Sequence, residues 1–211
     1  GVFNEGVLDN LRRIRDVYGP ALGEAVRRLG GVPLKPIMAR ALRMGDELHT
    51  RNNAATVLFT RELVPALLAM AAAQPDVVRE LYDFLYRSEI FFLHLSMAAS
   101  KAAADSAHGI AGSSVVTAMA MNCREFGIRV SGLGRQWFRG PLPPVKGKLF
   151  DGFTEDDIGY IGGESLIAET NGLGGFAQAA AFALQSYNGG TVEAMIENTL
   201  RMYQITVGEH P

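Results

Sequence analysis

Apolar residues recur at helical spacing through the first half of the chain. Leu8, Leu11, Val17, Leu22, Val26 and Leu29 predict a helical pair over residues 5–30, punctuated by Gly19-Pro20 and Gly30-Gly31. Pro36 suits the first turn of a third helix, whose stripe runs through Ile37, Ala41, Met44 and Leu48. A further helix after Arg51 carries Val57, Leu58, Leu63, Leu67 and Leu68 as far as Gln74-Pro75. Asp76 is then a cap for the longest predicted helix, with Leu81, Leu85, Phe92, Leu95, Ala99 and Ala102 on its apolar positions.

The pattern changes near Gly109. The segment Gly112 to Met121 opens with two serines and reads as a short helix, whereas Phe126-Gly-Ile-Arg-Val-Ser131 alternates and reads as a strand. Pro141, Pro143 and Pro144 mark a loop, and Phe150 to Phe153 and Leu166 to Thr170 read as further short strands. Two helices, Gly175 to Leu184 and Thr191 to Val207, close the chain. The expected fold is α+β and helix-rich: a helical bundle over residues 1–108, then a smaller mixed domain over 109–211 with short strands and Gly-rich turns. It lacks the regular strand–helix alternation of a doubly wound sheet.

Composition narrows the function classes. A hydrophobic share of 48% with 20% charged residues is that of a globular protein rather than a disordered one. A formal net charge of -2 provides no field of one sign to attract nucleic acid or an acidic membrane surface. The apolar run Leu63 to Ala73 is interrupted by Pro65 and is shorter than the about 20 residues a bilayer span needs. One cysteine, Cys123, excludes an internal disulfide, and with no secretory signal visible a cytoplasmic protein is expected.

The polar run Gly45-Asp-Glu-Leu-His-Thr-Arg-Asn-Asn53 interrupts the apolar stripe. Continued as a helix, it places Asp46, His49 and Asn53 on one side and brings Glu47 and Arg51 to pairing distance, with Arg51 and Asn52 at positions where core is expected. Such groups need a hydrogen-bond network, a ligand or solvent. Two readings stay open. One is a polar helix–helix corner with Arg51 paired to Glu47 and Asn52 capping the next helix. The other is a small-molecule site: Arg for a carboxylate, Asn for an amide, His as proton carrier. A metal site is disfavoured, because no second histidine stands at ligand spacing.

Elsewhere, Lys101 and Asp105 have the spacing of an exposed helical ion pair, and Glu89 to His94 reads as core aromatic packing with a satisfied histidine. The Arg129-Val-Ser-Gly-Leu-Gly-Arg135 segment runs a strand into Gly132 and Gly134, which permits close backbone approach to a ligand beside two arginines. The turn Asn171-Gly-Leu-Gly-Gly175 lacks the P-loop Lys and the full dinucleotide fingerprint; Glu169 before it is placed to bring a carboxylate to a site.

Met44-Gly-Asp-Glu-Leu-His-Thr-Arg-Asn52, Phe91-Phe-Leu, Lys101-Ala-Ala, Ser114-Val-Val-Thr-Ala-Met119 and Phe126-Gly-Ile-Arg-Val-Ser-Gly-Leu-Gly-Arg-Gln-Trp-Phe138 occur in this order. In these motifs the chain resembles the YlbE-like family of bacterial proteins encoded beside FdrA, an acyl-CoA synthetase-like protein, which includes AllG-type components of oxamate carbamoyltransferase. Its members are about twice this length, so the resemblance implies a fragment covering roughly the second and third quarters. It further implies an oligomeric assembly with an FdrA-like protein and a third subunit, in purine (allantoin) catabolism. The implied ligands are carbamoyl phosphate and an oxamate-like acid, with no cofactor and no metal. After the Thr-Ala-Met segment the chain has Met121-Asn122-Cys123 where the family pattern has Arg-Asn-Gly, so only Asn122 carries over. On this basis His49, Glu47 and Lys101 are the candidate catalytic residues. Arg51, Asn52, Asn53, Asn122, Arg129, Ser131, Gly132 and Gly134 are the candidate substrate-binding residues. The competing expectation is a non-catalytic partner or scaffold of the FdrA-like enzyme.

Overall fold

The computed structural model describes residues 3–159, 162–163 and 165–209. The first half is helical throughout: α1 (Glu5–Arg13), α2 (Gly19–Arg28), α3 (Leu34–Arg43), α4 (Asn53–Ala71), α5 (Pro75–Arg87) and α6 (Phe92–Ser106). Glycine and proline at 19–20 do not separate α1 from α2. Pro20 has no N–H and crowds the preceding turn, and the chain absorbs it in a π-helical turn, Ile14–Tyr18, that keeps the rod continuous.

The predicted longest helix is two helices. Thr56, buried on α4, donates its hydroxyl to the Glu89 carbonyl and accepts the Phe92 N–H, both at 3.1 Å. This fixes a corner at Ser88–Phe91 that swings Phe91 and Phe92 onto Phe59. The aromatic packing is as expected from Glu89–His94, although His94 itself stands on the exposed side.

The second half holds an antiparallel sheet of order β3-β2-β1-β4, built from β1 (Val116–Asn122), β2 (Glu125–Val130), β3 (Trp137–Pro141) and β4 (Gly162–Gly163). The strand at 126–131 is observed. The segment 112–121, expected as a helix, instead supplies β1, because Val116 and Ala118 to Met121 pair with β2 (Met119 opposite Ile128) and Thr117 is buried at the irregularity between them. The segment Leu166–Thr170, expected as a strand, is the short helix α7 (Ile167–Thr170), and 150–153 forms a turn. The closing helices are shorter than expected: 3-10 turns at Gly174–Ala180 and Phe182–Leu184, then α8 (Gln185–Asn188) and α9 (Val192–Arg201).

Part of the second half joins the core of the first, while Ala181, Leu184 and Met195 form a second, smaller cluster. Ala168 and Leu173 join Leu48, Phe59, Leu63, Leu81 and Phe92 in the main apolar cluster, so α7 and its following turn are inserted against the bundle. At its centre is α4, which by length and composition alone could cross a membrane, with a mean hydropathy of 1.5. Here its buried face, including Ala55, Phe59, Leu63 and Met70, is the core, while Arg61 and Glu62 stand exposed.

Candidate functional site

Between α3 and α4 the chain leaves the helical path. Met44 and Gly45 terminate α3, and residues 46–52 form a loop rather than the extended stripe predicted for them. Leu48 is the reason the stripe misleads. It is fully buried, as a core position should be, but reaches the core from a left-handed backbone (φ 67°). For a leucine that conformation costs roughly 1–2 kcal/mol, which burial of the side chain offsets.

Two buried carboxylates hold the loop. Glu47 Oε1 accepts the Arg51 N–H at 2.5 Å and Oε2 accepts the His49 N–H at 3.1 Å. Glu47, expected as a catalytic group, thus braces the loop with both oxygens. Asp46 Oδ2 accepts the Ala55 N–H at 2.8 Å and so caps α4 from upstream, while its Oδ1 faces Arg51 Nε at 3.5 Å. Arg51 thus pairs with Asp46 and not, as expected, with Glu47. Asn52 occupies the N-cap position of α4 without capping it, and its Nδ2 donates to the His49 carbonyl at 2.9 Å. Asn53 is the first residue of α4 and half-buried. Burial raises the Asp46 and Glu47 carboxyls above their ordinary values, against the opposing hydrogen bonds from backbone N–H groups.

The loop meets a residue 120 positions away. His49 Nδ1 and Glu169 Oε1 are 2.7 Å apart, and the same oxygen accepts the Gly175 N–H at 2.9 Å. The hydrogen bond to Glu169 raises the His49 pKa, against the opposing effect of burial. Gly174 makes the contact possible. Its N–H donates to the Glu47 carbonyl at 2.7 Å, its φ is +63°, and a Cβ there would lie 2.1 Å from Glu169 Oε1 and 2.9 Å from His49 Cβ. Glu169 and the glycine turn thus lie against the His49 loop, and they reach it through α7 rather than a strand. With Nδ1 held by a carboxylate, His49 has a fixed orientation and a single tautomer when neutral, which leaves Nε2 to act on a bound group.

The remaining candidates lie elsewhere. On α6, Ser96 touches the Leu48 carbonyl, whereas Lys101 sits five residues on, about 140° round the helix, where it pairs with Asp105 in solvent. Arg129 lies 3.9 Å from Asp105 and stacks over Trp137. Asn122 terminates β1, and its Oδ1 accepts the N–H groups of Arg124 and Glu125, which sets the hairpin turn. Ser131, at the other end of β2 and about 20 Å of strand away, donates to the Ala107 carbonyl and accepts the Ile110 N–H. The close approach at Gly132 is made by the chain's own loop: a Cβ would meet Ser113 O at 2.7 Å. Gly134 adopts φ +62° in open space. No hydrogen bond or ion pair among the described residues joins this region to the His49 loop. Nor are any three His, Cys, Asp or Glu side chains among those residues grouped to hold a metal ion.

Comparison with known proteins places relatives beside this geometry. The sequence model of the family described as oxamate carbamoyltransferase subunit AllG matches residues 1–165. An uncharacterized protein, YahG, of Escherichia coli is 46% identical over 211 residues, covering 100% of this chain and 44% of the relative. The oxamate carbamoyltransferase subunit AllG of the same organism is 41% identical over 196 residues, covering 92% of this chain and 46% of that protein. The crystal structure of a conserved protein of unknown function from Enterococcus faecalis superposes with a TM-score of 0.89 at 40% identity, over 98% of this chain and 50% of that one. The chain thus spans about half the length of the relatives it matches.

Proposed function

Because the chain belongs to the oxamate carbamoyltransferase subunit AllG family, we propose that it forms part of a carbamoyltransferase and that the His49 loop is its substrate site. The observation that carries this reading is the His49–Glu169 pair, which orients an imidazole in the loop that also carries Arg51 and is held by buried carboxylates. The substrates are carbamoyl phosphate and a small oxamate-like acid. The acceptor's amide nitrogen attacks the carbamoyl carbon, the bond from that carbon to the phosphate oxygen breaks, and phosphate departs with the electron pair. Neutral His49 takes the proton lost by the attacking nitrogen at Nε2, and Arg51 offsets developing negative charge. The partners are an FdrA-like protein and a third subunit, in the cytoplasm, with purine degradation as the setting.

Activity of the full-length protein reconstituted with those partners, followed as phosphate-dependent cleavage of oxalurate, tests the assignment. His49→Ala and Arg51→Ala should each lower the rate by at least about a hundredfold. A rate within about a factor of two of the parent for both variants would overturn it. Since neutral His49 is the base for carbamoyl transfer to oxamate, that forward rate should rise with pH through a value above 6.5.

A second reading, a docking subunit without catalysis, is favoured by one observation: α4 leaves Val57, Val64 and Leu68 exposed along one face. In that case the complex tolerates both loop substitutions and is disrupted by charges on that face.

A further inference from the structure

Four buried side-chain atoms around the His49 loop have no hydrogen-bond partner among the described residues: Asp46 Oδ1, Arg51 Nε, Asn52 Oδ1 and Glu169 Oε2. Two of them answer each other, since Arg51 Nε and Asp46 Oδ1 are 3.5 Å apart and a small movement of the long arginine closes the bond. The remaining two, Asn52 Oδ1 and Glu169 Oε2, are both acceptors. Their residues are 0% and 8% exposed, so solvent does not serve them. Each belongs to a side chain whose other polar atom is already committed to His49: Asn52 Nδ2 to its carbonyl and Glu169 Oε1 to its ring. What this loop leaves unmet is therefore a demand for donors, at two places flanking the one side chain with a free ring nitrogen.

Charge points the same way. Asp46, Glu47 and Glu169 outnumber the cations Arg51 and His49, so a carboxylate or phosphate brought against Glu169 Oε2 would meet like charge at low dielectric. An uncharged –NH2 group supplies N–H donors without that repulsion.

We propose that the His49 loop recognises the –NH2 of a primary amide, with Asn52 Oδ1 and Glu169 Oε2 accepting its hydrogens. The inference rests on the reading of this loop as the substrate site and deepens it: the loop takes the amide end of the acceptor, and the anionic end is held by other groups. The carboxamide nitrogen is thereby delivered to the His49 loop, and as its bond to the carbamoyl carbon forms, one of the two hydrogens held by these acceptors is passed on to His49 Nε2.

Calorimetric titration of the full-length protein with three probes of similar size tests this: oxamate, which carries one amide and one carboxylate, oxalate, which carries two carboxylates, and methylammonium. Oxamate should bind at least about tenfold tighter than either of the others. Glu169→Gln, which places an amide donor where an acceptor stood, should reduce the preference over oxalate to within about threefold. Asn52→Asp, checked like the first variant for an intact thermal transition, should preserve the preference over oxalate. Oxalate binding as tightly as oxamate, methylammonium binding more tightly, or no binding of any probe would overturn the proposal, and the wild-type comparison decides this even if neither variant folds. The two readings fail separately. An oxamate preference alongside full activity of His49→Ala removes the catalytic assignment and leaves amide recognition standing, whereas an inactive His49→Ala with no oxamate preference removes this inference alone.

Discussion

The His49 loop and the β1–β2 hairpin carry similar residue types and use them in opposite ways. In the hairpin region Asn122, Ser131 and Gly132 are occupied with the backbone beside them, Lys101 pairs with a residue one helical turn away, and the exception is Arg129, whose buried Nε has no hydrogen-bond partner among the described residues. In the loop, charged groups are buried, bonded to a segment 120 residues distant, and left with unmet acceptors. Polar residues that satisfy each other locally make turns. Polar residues buried at a cost, around a leucine held at positive φ, are what the proposed substrate site rests on.

If this contrast is right, substitutions should separate the two regions by size of effect. Gly174→Ala should be the most damaging. The added methyl group collides with Glu169 Oε1 and His49 Cβ at a φ that disfavours alanine, for a loss of roughly 2–4 kcal/mol in chemical denaturation. A variant as stable as the parent would mean that the Glu169–His49 contact is not held as described.

Glu47→Ala should follow, since it strands the N–H groups of His49 and Arg51, at roughly 2–3 kcal/mol. Glu47→Gln should lose less, because it keeps one acceptor and removes a buried charge. Equal losses would show that the two bonds do not brace the loop.

The pH dependence of stability comes next. The folded state raises the pKa of His49, Glu47 and Asp46, so folding takes up protons at all three. The His49 contribution is complete below 6.5 and is lost as pH rises through its raised value. Burial of Asp46 and Glu47 disfavours their ionised forms, so their share of the stability is lost upward from their ordinary values of 3.8 and 4.5. Tm should therefore fall as pH rises above 6.5, and His49→Gln should flatten that slope. An unchanged slope in the variant would assign it to other groups.

The hairpin should respond least. Asn122→Ala removes the acceptor for two turn N–H groups and should cost about 1 kcal/mol. Lys101→Ala breaks only a solvated ion pair and should leave Tm unchanged. A larger loss from Lys101→Ala than from Glu47→Ala would reverse the comparison.

Periodicity made the bundle legible, because Leu63, Leu81 and Leu85 are apolar for the ordinary reason that they are buried on helices. It was silent about the corner at Ser88–Phe91, which is set by Thr56, a residue 32 positions earlier than Ser88 and on another helix. It also misplaced the 112–121 segment, where two serines resemble a helix start although the following residues pair as a strand. The candidate site was half visible. Asp46–Asn53 is a polar run interrupting an apolar stripe, and Glu169 is a carboxylate ahead of a glycine turn. Their meeting was not visible, because nothing in local spacing joins residues 120 apart. The signal that could have joined them is Gly174, which both its positive φ and the side chains pressed against it require.

The most direct test is an NMR titration of the His49 ring in the wild type and in Glu169→Gln. The predicted result is a wild-type pKa above the ordinary 6.5 that falls when Glu169 loses its charge, because the carboxylate is the largest influence on the imidazole. A His49 that titrates at or below 6.5 in both proteins would contradict the pair on which the candidate site is built.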